Sequence, residues 1–243
     1  ADEFYDAQGL YDIRVVSTLG FEQADIDRLA AIEGVEKVFP ARSVDVMATM
    51  GSTRVVTRVM ELPSTTTAAS QKNDVTENDV KEGASAFNQP VLTDGRWPEA
   101  ANEVVISSDS KKHSDVPLGS VIEIPESTDG VHVKGGSYTV VGYVNSPNFP
   151  FSSNFGSTSL GNGTVEEFAY VPSDAFTAVD PYTDVYLKVR GASAQISGSD
   201  AYKNIVSSVE EHVTDAVPSL AQARVSDLRK KAQESVDEAR ANY

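Results

Sequence analysis

The side chains that could carry chemistry are few and scattered. His113, His132 and His212 fall in a loop, a turn-flanked hairpin and a helix, and none has a second histidine or an acid at a ligand spacing such as His-Glu-x-x-His. The chain has no cysteine, which removes a thiolate zinc site, a cysteine nucleophile and a disulfide framework. No Gly-x-Ser-x-Gly turn presents a serine nucleophile, and no Gly-rich loop ending in Gly-Lys-Ser/Thr is present to cradle a phosphate. Asp74 to Asp79 and Asp180 to Asp184 gather acids, but neither alternates oxygen ligands and closes on glutamate as a calcium loop does. The expectation is a domain without catalytic residues, cofactor or metal.

One loop invites a binding reading. Ser146 to Phe155 places Phe149, Phe151 and Phe155 in a polar stretch of Ser, Asn and Pro. Such rings either tuck back onto neighbouring β-structure or form an apolar contact for a ligand or partner protein. Phe149, Phe151 and Phe155 are therefore the candidate contact residues.

Composition narrows the partners. The 243 residues carry 36 acids against 20 bases, a formal charge of −16. That field repels phosphate backbones, so no nucleic-acid partner is expected. A hydrophobic share of 40% is enough for a packed core. The longest apolar stretches, such as Tyr138 to Val144, fall far short of the ~20 residues of a membrane-spanning helix. The acidic start, Ala1-Asp2-Glu3-Phe4-Tyr5-Asp6, has neither a basic leader nor an apolar centre and does not read as a signal peptide. It reads instead as a cut edge of something longer.

The elements that must position these residues follow from periodicity. Leu10 to Ser17 alternates apolar and polar residues, as a half-buried strand does. Ile26, Leu29, Ala30 and Ile32 recur at helical spacing before Gly34 stops the helix. Val35 to Pro40, Ser43 to Thr49 and Thr53 to Leu62 read as strands. From Pro63 to Asn88 the composition shifts to Ser, Thr, Lys, Asp, Asn and Glu, a surface excursion. Short strands then follow at Glu103 to Ser107, Ser120 to Ile124, Ser137 to Val144 and Glu167 to Val171, a spacing that suggests a small barrel or sandwich. Asp184 to Val189 alternates again, and Ala201 to Val213 is an amphipathic helix with Tyr202, Ile205, Val206, Val209 and Val213 on one face. From Leu220 onward Ala221, Val225, Leu228, Ala232, Val236 and Ala239 make a narrow stripe, the start of a coiled coil.

Taken in order, four stretches resemble a known family. They are Tyr11 to Thr18 with Gly34-Val35-Glu36-Lys37-Val38; Thr93 to Pro98 with Asn102 to Ser107; Leu118 to Ile122 with Tyr138 to Val144; and Ser157 to Thr164 leading into Phe168 to Pro172. This order resembles the extracytoplasmic domain of FtsX-like, MacB-type ABC transporter permeases, particularly the Gram-positive kind. The resemblance implies an α+β fold: a discontinuous α/β porter-like layer from residues 1–50 and 182–219, and a β-rich inserted subdomain from 51–181. Residues 220–243 then begin the coiled coil. It further implies a membrane helix on either side and a place on the extracellular face of the cell membrane. A cytoplasmic ATP-binding subunit and a second permease copy would be partners, with an unknown extracellular substrate or protein. The Ser/Thr-rich excursion and the coiled-coil exit depart from the Gram-negative exporters, so no outer-membrane partner follows. The competing reading is a secreted or surface-anchored adhesion module using the Phe loop.

Overall fold

The computed structural model describes residues 10–63, 88–109, 116–127, 131–149, 155–177 and 181–241. Two sheets organise them. The smaller has three antiparallel strands in the order β1 (Ile13–Phe21), β10 (Tyr182–Val189), β2 (Val35–Ala41). Strands from the two ends of the chain thus share one layer, with Leu187 opposite both Ile13 and Val38. Helices α1 (Gln23–Ala30) and α2 (Asp200–Ala241) pack on it. Ile26 and Leu29 from α1 and Val209 and Val213 from α2 are buried against Ile13, Val185, Leu187 and Val189. The apolar spacing that predicted these faces is the spacing that buries them, except at Ala30, which ends α1 exposed.

Helix α1 begins with a capping box: the Glu22 side chain accepts from the N3 backbone, and the Glu22 N–H donates to Asp25 Oδ2 at 2.9 Å. Gly34, at φ +89°, turns the chain into β2 where a side chain would strain the backbone.

The larger sheet runs β5 (Val91–Gly95), β8 (Gly136–Asn145), β6 (Glu103–Ser107), β9 (Glu167–Val171), β4 (Thr53–Glu61), β3 (Ser43–Met50), β7 (Val121–Ile124), and β7 also pairs with β8. That last pairing closes strands β8, β6, β9, β4, β3 and β7 into a small barrel, with β5 added beside the second half of β8. The ten-residue β8 makes closure possible, because its first half meets β7 and its second half meets β5 on the same side. Val46, Ala48, Met50, Val59, Val104, Ile106, Ile122 and Val140 fill the interior. Alternating strands of this kind bury one face each, which is the patterning a filled barrel needs.

Two expectations change. Ser43 to Met50, read with the porter-like layer, pairs along its whole length with β4 in the barrel, so the chain changes sheet at Arg42. The C-terminal segments, read as a helix to Val213 and a separate stripe from Leu220, form one helix of 42 residues with Pro218 inside it. At 1.5 Å per residue it is ~63 Å long. Pro218 lacks the N–H that would bond Thr214, and Ser219 Oγ instead donates to the Ala216 carbonyl at 2.9 Å. Packing on both sides of the proline, by Val213 before it and by Leu220 and Arg224 after it, holds the helix continuous.

Candidate functional site

Where the chain passes from one sheet to the other, the strands part and leave a cavity of about 260 Å³. The end of β2, the Arg42 crossing, the end of β4 and the start of β10 supply its walls, and Asn88 and Asn148 come in from loops. Its character is set by paired charges and rings. Asp184, 1% exposed, accepts from Arg14 Nε at 2.8 Å, Ser43 Oγ at 2.8 Å and Thr183 Oγ1 at 2.6 Å. Each acceptor position of this buried carboxylate is therefore met, as burial of a charge requires. Ser43 belongs to the barrel and Asp184 to the small sheet, so this cluster also fastens the two together.

Arg42 is held in the same way. Its Nη1 lies 3.1 Å from Glu61 Oε2, and its guanidinium carbon stands 4.5 Å from the centre of the Tyr182 ring. Burial pushes the Glu61 carboxyl above its ordinary value, against the pull of Arg42. Tyr170 is driven to about 12 by burial, so its hydroxyl stays protonated; it lies 2.7 Å from Ser146 Oγ and accepts from Asn148 Nδ2 at 3.4 Å.

Two amides in the wall are less complete. Asn88 is 4% exposed, and neither its Oδ1 nor its Nδ2 has a hydrogen-bond partner among the described residues. Asn148 Oδ1 is likewise buried and unpaired. Asn88 also sits at φ +50°, the left-handed region that few residues other than glycine and asparagine adopt.

The sequence-derived contact residues divide. Phe149 and Phe155 fold back onto Phe168: Phe149 stacks on it with centroids 4.9 Å apart, and Phe155 meets it edge-on at 5.2 Å. Met60, Leu62, Val105, Val144 and Val165 complete this second barrel-side core. Phe155 is 6% exposed, whereas Phe149 keeps part of its ring at the surface. Phe151 lies outside the described residues, as do His113, Asp180 and the 64–87 stretch containing Asp74 to Asp79. His212 Nδ1 stands 3.2 Å from the Glu33 carbonyl, and His132 is half-buried between Val131 and Val133. Among the described residues no three His, Cys, Asp or Glu side chains are grouped to hold a metal ion. None of their helices is long and apolar enough to cross a membrane.

Sequence reading singled out neither Arg42 nor the two asparagines. Only Asn148, within the polar Phe loop, carried any local signal; Asn88 and Arg42 owe their surroundings to contacts across the chain.

No protein-family model matches the sequence, and no curated protein matches it. Similar solved structures are known. One is the extracellular domain of the ABC-type transporter YknZ from Gram-positive bacteria, at 16% identity and a TM-score of 0.36, covering 78% of this chain and 84% of that one. Another is the periplasmic region of MacB from Actinobacillus actinomycetemcomitans, at 13% identity and a TM-score of 0.37, covering 83% and 75%.

Proposed function

We propose that this chain is the extracellular domain of an ABC transporter permease. It is non-catalytic itself, and it couples ATP-driven movement of membrane helices to the handling of a substrate or partner outside the cell. The observation that carries the reading is the union of β1 and α2 in one layer: β1 and β10 share the small sheet, α2 packs on it, and the barrel is inserted between β2 and β10. A layer fed by two such segments is placed to feel their relative movement. The continuous α2 supplies a stiff arm, and the crossing at Arg42, with the Asp184 cluster beside it, supplies a place to flex.

In this reading the cytoplasmic ATP-binding subunit acts through the membrane segments, and a second permease copy meets the bare stripe of α2. Ala232, Val236 and Ala239 are exposed there, and Val236 keeps 46% of its surface. The stripe steps by four, three and four from Ala221 to Ala232 and repeats from there, an eleven-residue period that runs nearly straight along a helix. That geometry suits a long partner helix without tight supercoiling. Of the two described rings of the Phe loop, the half-buried Phe149 is the one left to touch an extracellular ligand or protein.

The domain has no thiol of its own, so labels on paired cysteines placed in it sit at known positions. In the intact permease with its ATPase, Val16→Cys on the small sheet and Val121→Cys on the barrel, both exposed, receive spin labels through a membrane-impermeant reagent. Labelling from outside the cell, and a distance distribution that changes when ATP hydrolysis is trapped with vanadate, are the expected results. Labels reached only from the cytoplasm, or an unchanged distribution, overturn the reading.

A further inference from the structure

The inter-sheet cavity contains one carboxylate short of donors. Glu61 lines it, and its side chain keeps 16% of its surface accessible. Among the described residues only Arg42 donates to this carboxylate: its Nη1 stands 3.1 Å from Oε2 and 3.3 Å from Oε1, and its backbone N–H also donates. Two carboxylate oxygens can accept about four hydrogens. The neighbouring Asp184 comes closer to that number, with Arg14, Ser43 and Thr183 all donating to it. Burial has raised the Glu61 carboxyl in spite of its ion pair, and a further donor inside the cavity would offset that cost. The unpaired amide atoms of Asn88 and Asn148 are sealed from the cavity and take no part.

Charge and shape restrict the rest of the ligand. The charges in the wall are balanced, Arg42 with Glu61 and Arg14 with Asp184, so an ionic ligand would find no counter-ion. Phe39 and Tyr182 line the cavity half-buried, and Pro40, Met60 and Tyr186 stand beside them, which makes walls for a flat apolar body. The volume of about 260 Å³ exceeds the ~150 Å³ that encloses a benzene ring and is near the lower limit of small-molecule sites. We infer that this cavity binds a small uncharged molecule of two fused aromatic rings that donates one N–H to Glu61. The inference rests on the cavity alone and is independent of the permease reading.

Indole is the probe. Titrated into the ¹⁵N-labelled chain, it shifts the backbone amides of Phe39, Arg42, Glu61 and Tyr182 saturably, with a Kd of about 1 mM for so small a ligand. Benzofuran has the same shape with an oxygen in place of the N–H. It binds at least about fivefold more weakly, because it meets Glu61 with a second acceptor. In Glu61→Leu that preference for indole disappears. Ala41→Leu leaves Arg42 and Glu61 paired but fills the space, and it weakens both ligands at least about tenfold. Should Glu61→Leu fail to fold, the benzofuran comparison and Ala41→Leu still decide. Cavity amides unmoved at the solubility limit of indole overturn the inference, as do equal affinity for benzofuran or full indole affinity in Ala41→Leu. Shifts confined to another face of the protein overturn it too.

Discussion

Arg224 Nη1 lies 2.6 Å from Glu22 Oε1, joining the second half of the long helix to the residue that caps α1. Lys231 Nζ reaches the same oxygen at 2.6 Å, and the Arg224 guanidinium also donates to the Leu19 carbonyl at 3.2 Å. The helix is therefore tied to the end of β1 two turns apart, well beyond the apolar contacts of Val209 and Val213. These contacts join α2 between Leu220 and Lys231 to both β1 and α1.

This tie titrates. The hydrogen bond from Lys231 and the ion pair with Arg224 hold the Glu22 carboxyl below its ordinary value. The folded state thus binds fewer protons there than the unfolded state. Its contribution is present above the unfolded value of 4.5 and is lost as the pH falls through the lower folded value. After correction for intrinsic rates, amides from Leu220 to Lys231 are expected to exchange faster at low pH than near neutrality. Glu22→Gln should remove that difference. Because Glu22 is partly exposed, Arg224→Ala is expected to cost only about 1 kcal/mol, concentrated in this half of the helix. Exchange that is equally slow at both pH values would refute the tie.

Glu167 titrates in the opposite sense. Burial at the start of β9 pushes its carboxyl up to about 7, against hydrogen bonds from the Phe168 N–H and from Ser107. The folded state therefore holds this proton more tightly than the unfolded chain. Its contribution is full below 4.5 and is lost as the pH rises through 7, a total of about 3 kcal/mol. Glu167→Gln is expected to stabilise the protein by about 2–3 kcal/mol at pH 8 and to leave it nearly unchanged at pH 4.5. Urea unfolding at the two pH values measures this, and an equal gain at both would show that ionisation is not the cause.

Gly34 is required for contact as well as for its turn. A Cβ there would stand 2.4 Å from Val209 Cγ2 on α2, with φ at +89°. Gly34→Ala is expected to cost roughly 3 kcal/mol, combining backbone strain with overpacking. In denaturant unfolding, Val209→Ala in the same chain should recover part of the loss, since it removes the methyl groups in the way. Strictly additive costs would mean the strain is in the backbone alone.

The sequence by itself determined the elements with one-sided periodicity. The alternation from Leu10 to Ser17 and from Asp184 to Val189, and the helical spacing of Tyr202 to Val213, state which side of each element faces a core. The short strands with their glycine turns read as a small barrel or sandwich, and the pairing of β7 with β8 makes it a barrel. Three things depended on tertiary structure. Strand β3 alternates equally well for either sheet, and only its pairing with β4 decides which one it joins. Pro218 signals an end to local reasoning, yet anchors at Val213 and Arg224 outweigh one missing hydrogen bond. The cavity was the least legible, because chemistry at a site depends on distance in space. Ser43 and Asp184 are 141 residues apart and share a hydrogen bond, and Asn88 and Asn148 line one space from separate loops. Periodicity records which way a side chain faces, but only the packed fold decides which others it meets.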